Sequence, residues 1–176
     1  MEKYKELLKL ARSAIESQFN GKKNRVSDEI KKKYGEKKAC FVTLTENGDL
    51  RGCIGSLEAH QELWKDVIDN AINAGFNDYR FEPLEEEELE NIKVEISILS
   101  KPVKLGIGKN VFDKIDNKMG IILKHNKGSA TFLPQVWEQI SNKQVFLEEL
   151  SMKAGLFKDD WKDSEIWFYR VEKIEE

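Results

Sequence analysis

Asn47-Gly48 stands between two runs, 39–45 and 50–56, that both read as β-strand. A two-residue type I′ turn needs positive φ at both central positions, and Asn-Gly supplies it most readily. The first run, Ala39 to Thr45, is rich in Phe, Val and Thr, which suit a pleated, half-buried surface. The chain is thereby committed to an antiparallel hairpin, and the remaining elements must cover it. A simple two-residue turn sets Cys40 opposite Gly55 and Val42 opposite Cys53.

Helical spacing precedes the hairpin. Tyr4, Leu7, Leu8, Ala11, Ile15 and Phe19 recur at three- and four-residue steps, which predicts a helix over 3–19 ended by Asn20-Gly21. Ser27 is placed to cap a second short helix carrying Ile30 and Tyr34. After the hairpin, Leu63, Val67 and Ala71 mark a helix over 60–75, and Glu85–Glu88 opens a short helical turn. Ile92, Val94, Ile96 and Ile98 then alternate with polar residues as a strand does.

The same order recurs further on. Strands at 119–124 and 129–133 flank His125-Asn126-Lys127-Gly128. A helix over 143–154 carries Phe146, Leu147 and Leu150, and a strand over 165–172 holds Ile166, Phe168 and Val171. Residues 39–99 and 119–172 thus each read as β-β-α-β, after a helical segment over 1–35. No linker separates the halves. The expectation is one α+β domain over 1–176, two-lobed, with the halves sharing a sheet or barrel.

Composition narrows the function classes. Of 176 residues, 29 are Lys or Arg and 32 are Asp or Glu, a net charge of −3 that argues against bulk nucleic-acid binding. Lys22-Lys23 and Lys31–Lys33 form a local basic cluster that reads as solvated surface. No apolar run approaches the ~18 residues of a membrane span, and the first ten residues lack the core of a signal peptide. Two cysteines do not make a disulfide framework, so a cytoplasmic location is expected. Two histidines give no metal signature, and no glycine-rich phosphate loop is present, so no metal or cofactor is expected.

The stretch best suited to chemistry is Leu50-Arg51-Gly52-Cys53-Ile54-Gly55. Strand interiors normally avoid glycine, so Gly52 and Gly55 suggest a bulge or a close approach to the backbone. Alternation puts Arg51 and Cys53 on one face, roughly 6–7 Å apart. A guanidinium there favours a thiolate, which is how a nucleophilic cysteine is prepared. The competing reading makes Cys53 a small buried hydrophobe, as Cys40 is expected to be. Asp78 can cap a turn with Arg80 paired to it or to the acidic run; otherwise Arg80 is an anchor for a carboxylate or phosphate. His60 reads as an exposed helix-start residue, and Gln135 as a candidate lining residue for a cleft between the halves.

These residues carry a family resemblance. Leu50 to Gly55 (LRGCIG) is similar to the signature of the AMMECR family. Ala74 to Phe81 (AGFNDYRF) resembles its AAFxDPRF pattern, with Gly75 in place of Ala and Tyr79 in place of Pro. Val94 to Leu99, Phe132 to Val136 and Lys153 to Leu156 extend the likeness. The resemblance implies a two-lobed α+β fold with an internal repeat, and a pathway link to Memo-like and radical SAM proteins. It implies no known reaction. Two functions remain open. One is a cysteine-centred enzyme with Cys53 as nucleophile and Arg51 as its stabiliser. The other is a non-catalytic module that binds a small molecule or a protein partner through Gly52, Gly55, Asp78, Arg80 and Gln135.

Overall fold

The computed structural model describes residues 4–22 and 25–176. Lys3 of the first predicted helix and Lys23 of the basic cluster lie outside the described residues. In chain order the first elements are α1 (Lys5–Asn20), α2 (Asp28–Lys33), β1 (Cys40–Glu46), β2 (Asp49–Gly55), α3 (Leu63–Phe76) and β3 (Ile92–Leu99). They are followed by β4 (Val103–Ile107), α4 (Gly108–Val111), β5 (Gly120–His125) and β6 (Gly128–Phe132). The chain closes with α5 (Val136–Gln139), α6 (Lys143–Lys153), β7 (Glu165–Tyr169) and β8 (Val171–Glu175). Two compact units result, Met1–Leu99 with Glu172–Glu176, and Ser100–Val171.

In the first unit the sheet runs β2-β1-β3-β8. The hairpin forms as the Asn-Gly pair requires, with φ of 52° at Asn47 and 91° at Gly48. Val42, Leu44, Val94 and Ile96 join one core with Leu7, Ala11 and Ile15 of α1 and Val67 and Ala71 of α3. Burial of these apolar faces supplies the main driving force, about 25 cal/mol per Å². Ser27 caps α2 by accepting the Ile30 N–H. Arg12 of α1 ties the unit's ends together, donating to the carbonyls of Leu89 and Ile92 and to the Glu176 carboxylate.

In the second unit the sheet runs β4-β7-β5-β6. Ile121, Leu123 and Ile166 pack with Phe146, Leu147 and Leu150 of α6. Trp137 stacks on Phe146 and donates its indole N–H to the Met119 carbonyl at 2.9 Å.

The expected shared sheet is replaced by two separate four-stranded antiparallel sheets. The expected strand over 165–172 is two strands, β7 in one sheet and β8 in the other. Arg170 makes the break. Its N–H donates to Ser100 Oγ, and its guanidinium grips Asp116 through two 2.8 Å hydrogen bonds. The three-residue step from Phe168 to Val171 already departs from strand alternation. β4 was not apparent in the sequence, because Val103 is exposed and Gly106 turns to φ 143° at a register shift.

Candidate functional site

β2 is an edge strand, and its sequence puts a one-residue bulge in it. Thr45 pairs with Leu50 and Leu44 with Gly52, so Arg51 is the extra residue. The register beyond the bulge slips by one against the sequence-based pairing: Thr43 faces Cys53, and Phe41 faces Gly55. Alternation fails across a bulge, and the expected partnership of Arg51 with Cys53 fails with it. The hydrogen bonds of the Arg51 side chain run to Glu88 and to the segment just before its turn. Its Nε and Nη2 meet the Glu88 carboxylate at 2.5 and 2.9 Å, and Nη1 and Nη2 reach the carbonyls of Glu82 and Pro83. The pairing holds the Glu88 carboxyl below its ordinary pKa and Arg51 above its own.

Arg80, rather than Arg51, is the arginine that hydrogen-bonds Cys53. Its Nη2 donates to the Cys53 carbonyl at 3.3 Å. Asp78 fixes it. Oδ1 accepts Arg80 Nε at 2.9 Å and the Arg80 N–H at 3.2 Å, while Oδ2 accepts Nη2 at 2.7 Å. The same Oδ2 accepts the Cys53 N–H at 2.9 Å. The guanidinium, with help from these N–H donors, holds the Asp78 carboxyl far below the usual carboxylate range. This arrangement does what a neighbouring strand would do, satisfying an edge residue's N–H and C=O with two side chains. Tyr79, where the family pattern has proline, points into solvent at 95 % exposure, and Asp78 orders the loop instead.

The Cys53 thiol is partly buried, and Thr43 Oγ1 lies 3.2 Å from its sulfur. Sequence reading missed Thr43; its cross-strand place opposite Cys53 follows only once the bulge is known. The glycines serve the chain's own packing. A Cβ on Gly52 would overlap the Ala74 carbonyl oxygen, and one on Gly55 would overlap the Phe41 ring and the Cys40 carbonyl.

Cys40 and His60 have hydrogen-bond partners of their own. Cys40 is fully buried, and its N–H and S–H donate to Asp66 Oδ2 at 3.0 and 3.3 Å. Burial, then the Asp66 charge, pushes its thiol well up. His60 is exposed, with Nδ1 3.1 Å from the Glu58 carbonyl and Nε2 3.6 Å from Asp66 Oδ1. Gln135 is exposed in the second unit, just before α5. Among the described residues no three His, Cys, Asp or Glu side chains converge as metal ligands would, and no helix is long and apolar enough to cross a membrane.

Two four-stranded antiparallel sheets with helical cover, and a glycine-flanked edge cysteine tied to an Asp–Arg pair, define an α+β class with a distinctive first hairpin. The AMMECR1 family model matches residues 8–174, and the chain belongs to that family. Protein NEQ441 of Nanoarchaeum equitans is 37% identical over 97% of this chain and 98% of its own length. A protein of Aquifex aeolicus is 36% identical over 94% of this chain and 87% of its own. The crystal structure of the uncharacterized protein PH0010 from Pyrococcus horikoshii matches with a TM-score of 0.83 at 32% identity, over 99% of this chain and 92% of that one.

Proposed function

We propose that Cys53 is a reactive thiol, the nucleophile of an addition or group-transfer reaction, and that Arg80 and Thr43 rather than Arg51 support it. The observation that carries this reading is the pairing of a hydroxyl 3.2 Å from the sulfur with a guanidinium anchored on the same residue's carbonyl. A donor and a fixed positive charge are the groups that hold negative charge on sulfur during reaction. Arg51 is assigned to holding the acidic turn against β2. The cytoplasm, where free thiols persist, suits such a residue.

A second reading is favoured by one observation, the lack of any histidine in hydrogen-bonding reach of Cys53 among the described residues. In it the site is a non-catalytic module, and Arg80, whose side chain is 43% exposed, recognises an acidic group on a small molecule or a protein. We also read 1–176 as one domain built from two copies of a β-β-α-β unit. The matching strand orders, β2-β1-β3-β8 and β6-β5-β7-β4, support that reading.

Alkylation of the native protein by iodoacetamide, followed by peptide mass spectrometry, separates the two. Cys40 is fully buried and serves as the internal control. The catalytic reading expects rapid labelling of Cys53, slowed several-fold by Arg80→Gln and by Thr43→Val and unchanged by Arg51→Ala. Labelling no faster than free cysteine, or indifferent to both variants, rejects it.

A further inference from the structure

Arg80 carries more N–H donors than the fold uses. Its Nε and Nη2 are spent on Asp78, and Nη2 also reaches the Cys53 carbonyl. Nη1 takes part in no hydrogen bond among the described residues, and the side chain is 43% exposed. The guanidinium is nonetheless fixed in place. Asp78 holds one edge of it, and the Phe81 ring lies 5.5 Å from Cζ. A donor already held in position loses little entropy when it binds, and a carboxylate is among the acceptors that a guanidinium bonds most strongly.

The Cys53 N–H is committed elsewhere. It donates to Asp78 Oδ2 at 2.9 Å. Acyl transfer at this cysteine would raise an oxyanion beside the sulfur, and the nucleophile's own N–H is the nearest backbone donor that could meet it. With that donor tied to a carboxylate, the site favours displacement at carbon, which builds no oxyanion.

Resting on the reading of Cys53 as a nucleophile, we propose that its substrate is an electrophile bearing a carboxylate beside the carbon under attack, and that Nη1 of Arg80 anchors that carboxylate. The sulfur forms the new bond to carbon, the leaving group departs with the electron pair of the bond that breaks, and the thiol proton passes to solvent. Asp78 balances the charge of Arg80, so recognition rests on directed N–H donors at contact rather than on attraction at a distance. A phosphate dianion calls for more positive charge than one balanced arginine supplies.

The test compares iodoacetate with iodoacetamide on the intact protein, read by peptide mass spectrometry. Both reagents lose iodide to the same thiolate, so the ratio of their rates does not depend on how much thiolate is present, and only iodoacetate carries the carboxylate. Measured against free cysteine at the same pH, the ratio at Cys53 should favour iodoacetate about fivefold or more, as a charge-assisted hydrogen bond would give. Arg80→Gln should return the ratio to that of free cysteine, with the buried Cys40 still unlabelled as the sign that the fold is kept. On the parent protein alone, iodoacetate labelling should level off with concentration while iodoacetamide labelling rises linearly. A ratio equal to that of free cysteine, a ratio that Arg80→Gln leaves unchanged, or a linear dependence on both reagents overturns the assignment. Rapid labelling by iodoacetamide in those cases leaves the reactive-thiol reading standing, whereas slow labelling by both reagents removes that reading and this one together.

Discussion

Asp78 holds three donors at once: the Cys53 N–H, the Arg80 N–H and the Arg80 guanidinium. Because its folded carboxyl titrates well below an unfolded aspartate, the ionised form stabilises the fold. That contribution is complete above the unfolded pKa of about 3.9 and is lost as pH falls toward the folded value. Asp78→Asn should cost about 1–2 kcal/mol at pH 7, a figure held down because the Arg80 side chain is 43% exposed. The gap between variant and parent should begin to narrow as urea unfolding is repeated from pH 5 down to pH 3. A gap independent of pH would mean that the charge of Asp78 is not what matters. At this scale the sequence was half legible. Cys53, Asp78 and Arg80 stand out by type and spacing. Glu88 as the partner of Arg51, and Thr43 as the partner of Cys53, depend on a bulge that no local pattern announces.

The contact between β2 and α3 explains why the first hairpin tolerates so little change. Gly52 lies against the Ala74 carbonyl, and the corresponding strand of the second unit repeats the arrangement with Gly128 against the Ala154 carbonyl. A methyl group at Gly52 meets backbone that cannot give way, so Gly52→Ala should cost about 3 kcal/mol or more. Gly75→Ala is the contrasting case. Its added methyl would crowd only Leu84 Cδ1 at 2.8 Å, the free end of a flexible side chain. Alanine is also the better helix former by about 0.5–1 kcal/mol, so the variant should unfold within about 0.5 kcal/mol of the parent. Urea midpoints for the two variants measure the difference, and equal losses would refute the account. Elements with strong periodicity or a diagnostic turn, such as α1, the Asn47-Gly48 hairpin and β3, were readable because the signal lies within one element. β4 and β8 were not. Each is short and takes its place in a sheet from a partner far along the chain, and that is information about tertiary pairing rather than local preference.

The order of the chain sets how the whole molecule is held together. The strand after β3 joins the sheet of the second unit beside β7, and the strand after β7 returns to the first unit beside β3. Ile174 of that returning strand belongs to the first core, and Glu176 binds Arg12 and the Val94 N–H. Removing Glu172–Glu176 should therefore weaken the unit that begins at the other end of the sequence, by about 3 kcal/mol from the lost isoleucine burial and hydrogen bonds. Hydrogen exchange is the appropriate readout. Amides of β3 should lose protection while those of β5 keep theirs, and uniform loss in both sheets would contradict the division into units.

The returning strand also has a temporal meaning, because a ribosome makes the chain from one end. At about 5–20 residues per second, everything from α1 to β3 emerges several seconds before the residues of β8 exist. During that interval the flank of β3 that β8 will later occupy stays open, and an open flank on an Ile- and Val-rich strand invites pairing with other nascent chains. Lys93 and Glu95 interrupt the apolar sequence of that strand with charge, the type of residue that discourages such encounters. When the last residues arrive, Lys173 closes onto Glu95, and the charge that guarded the unfinished strand becomes part of the finished one.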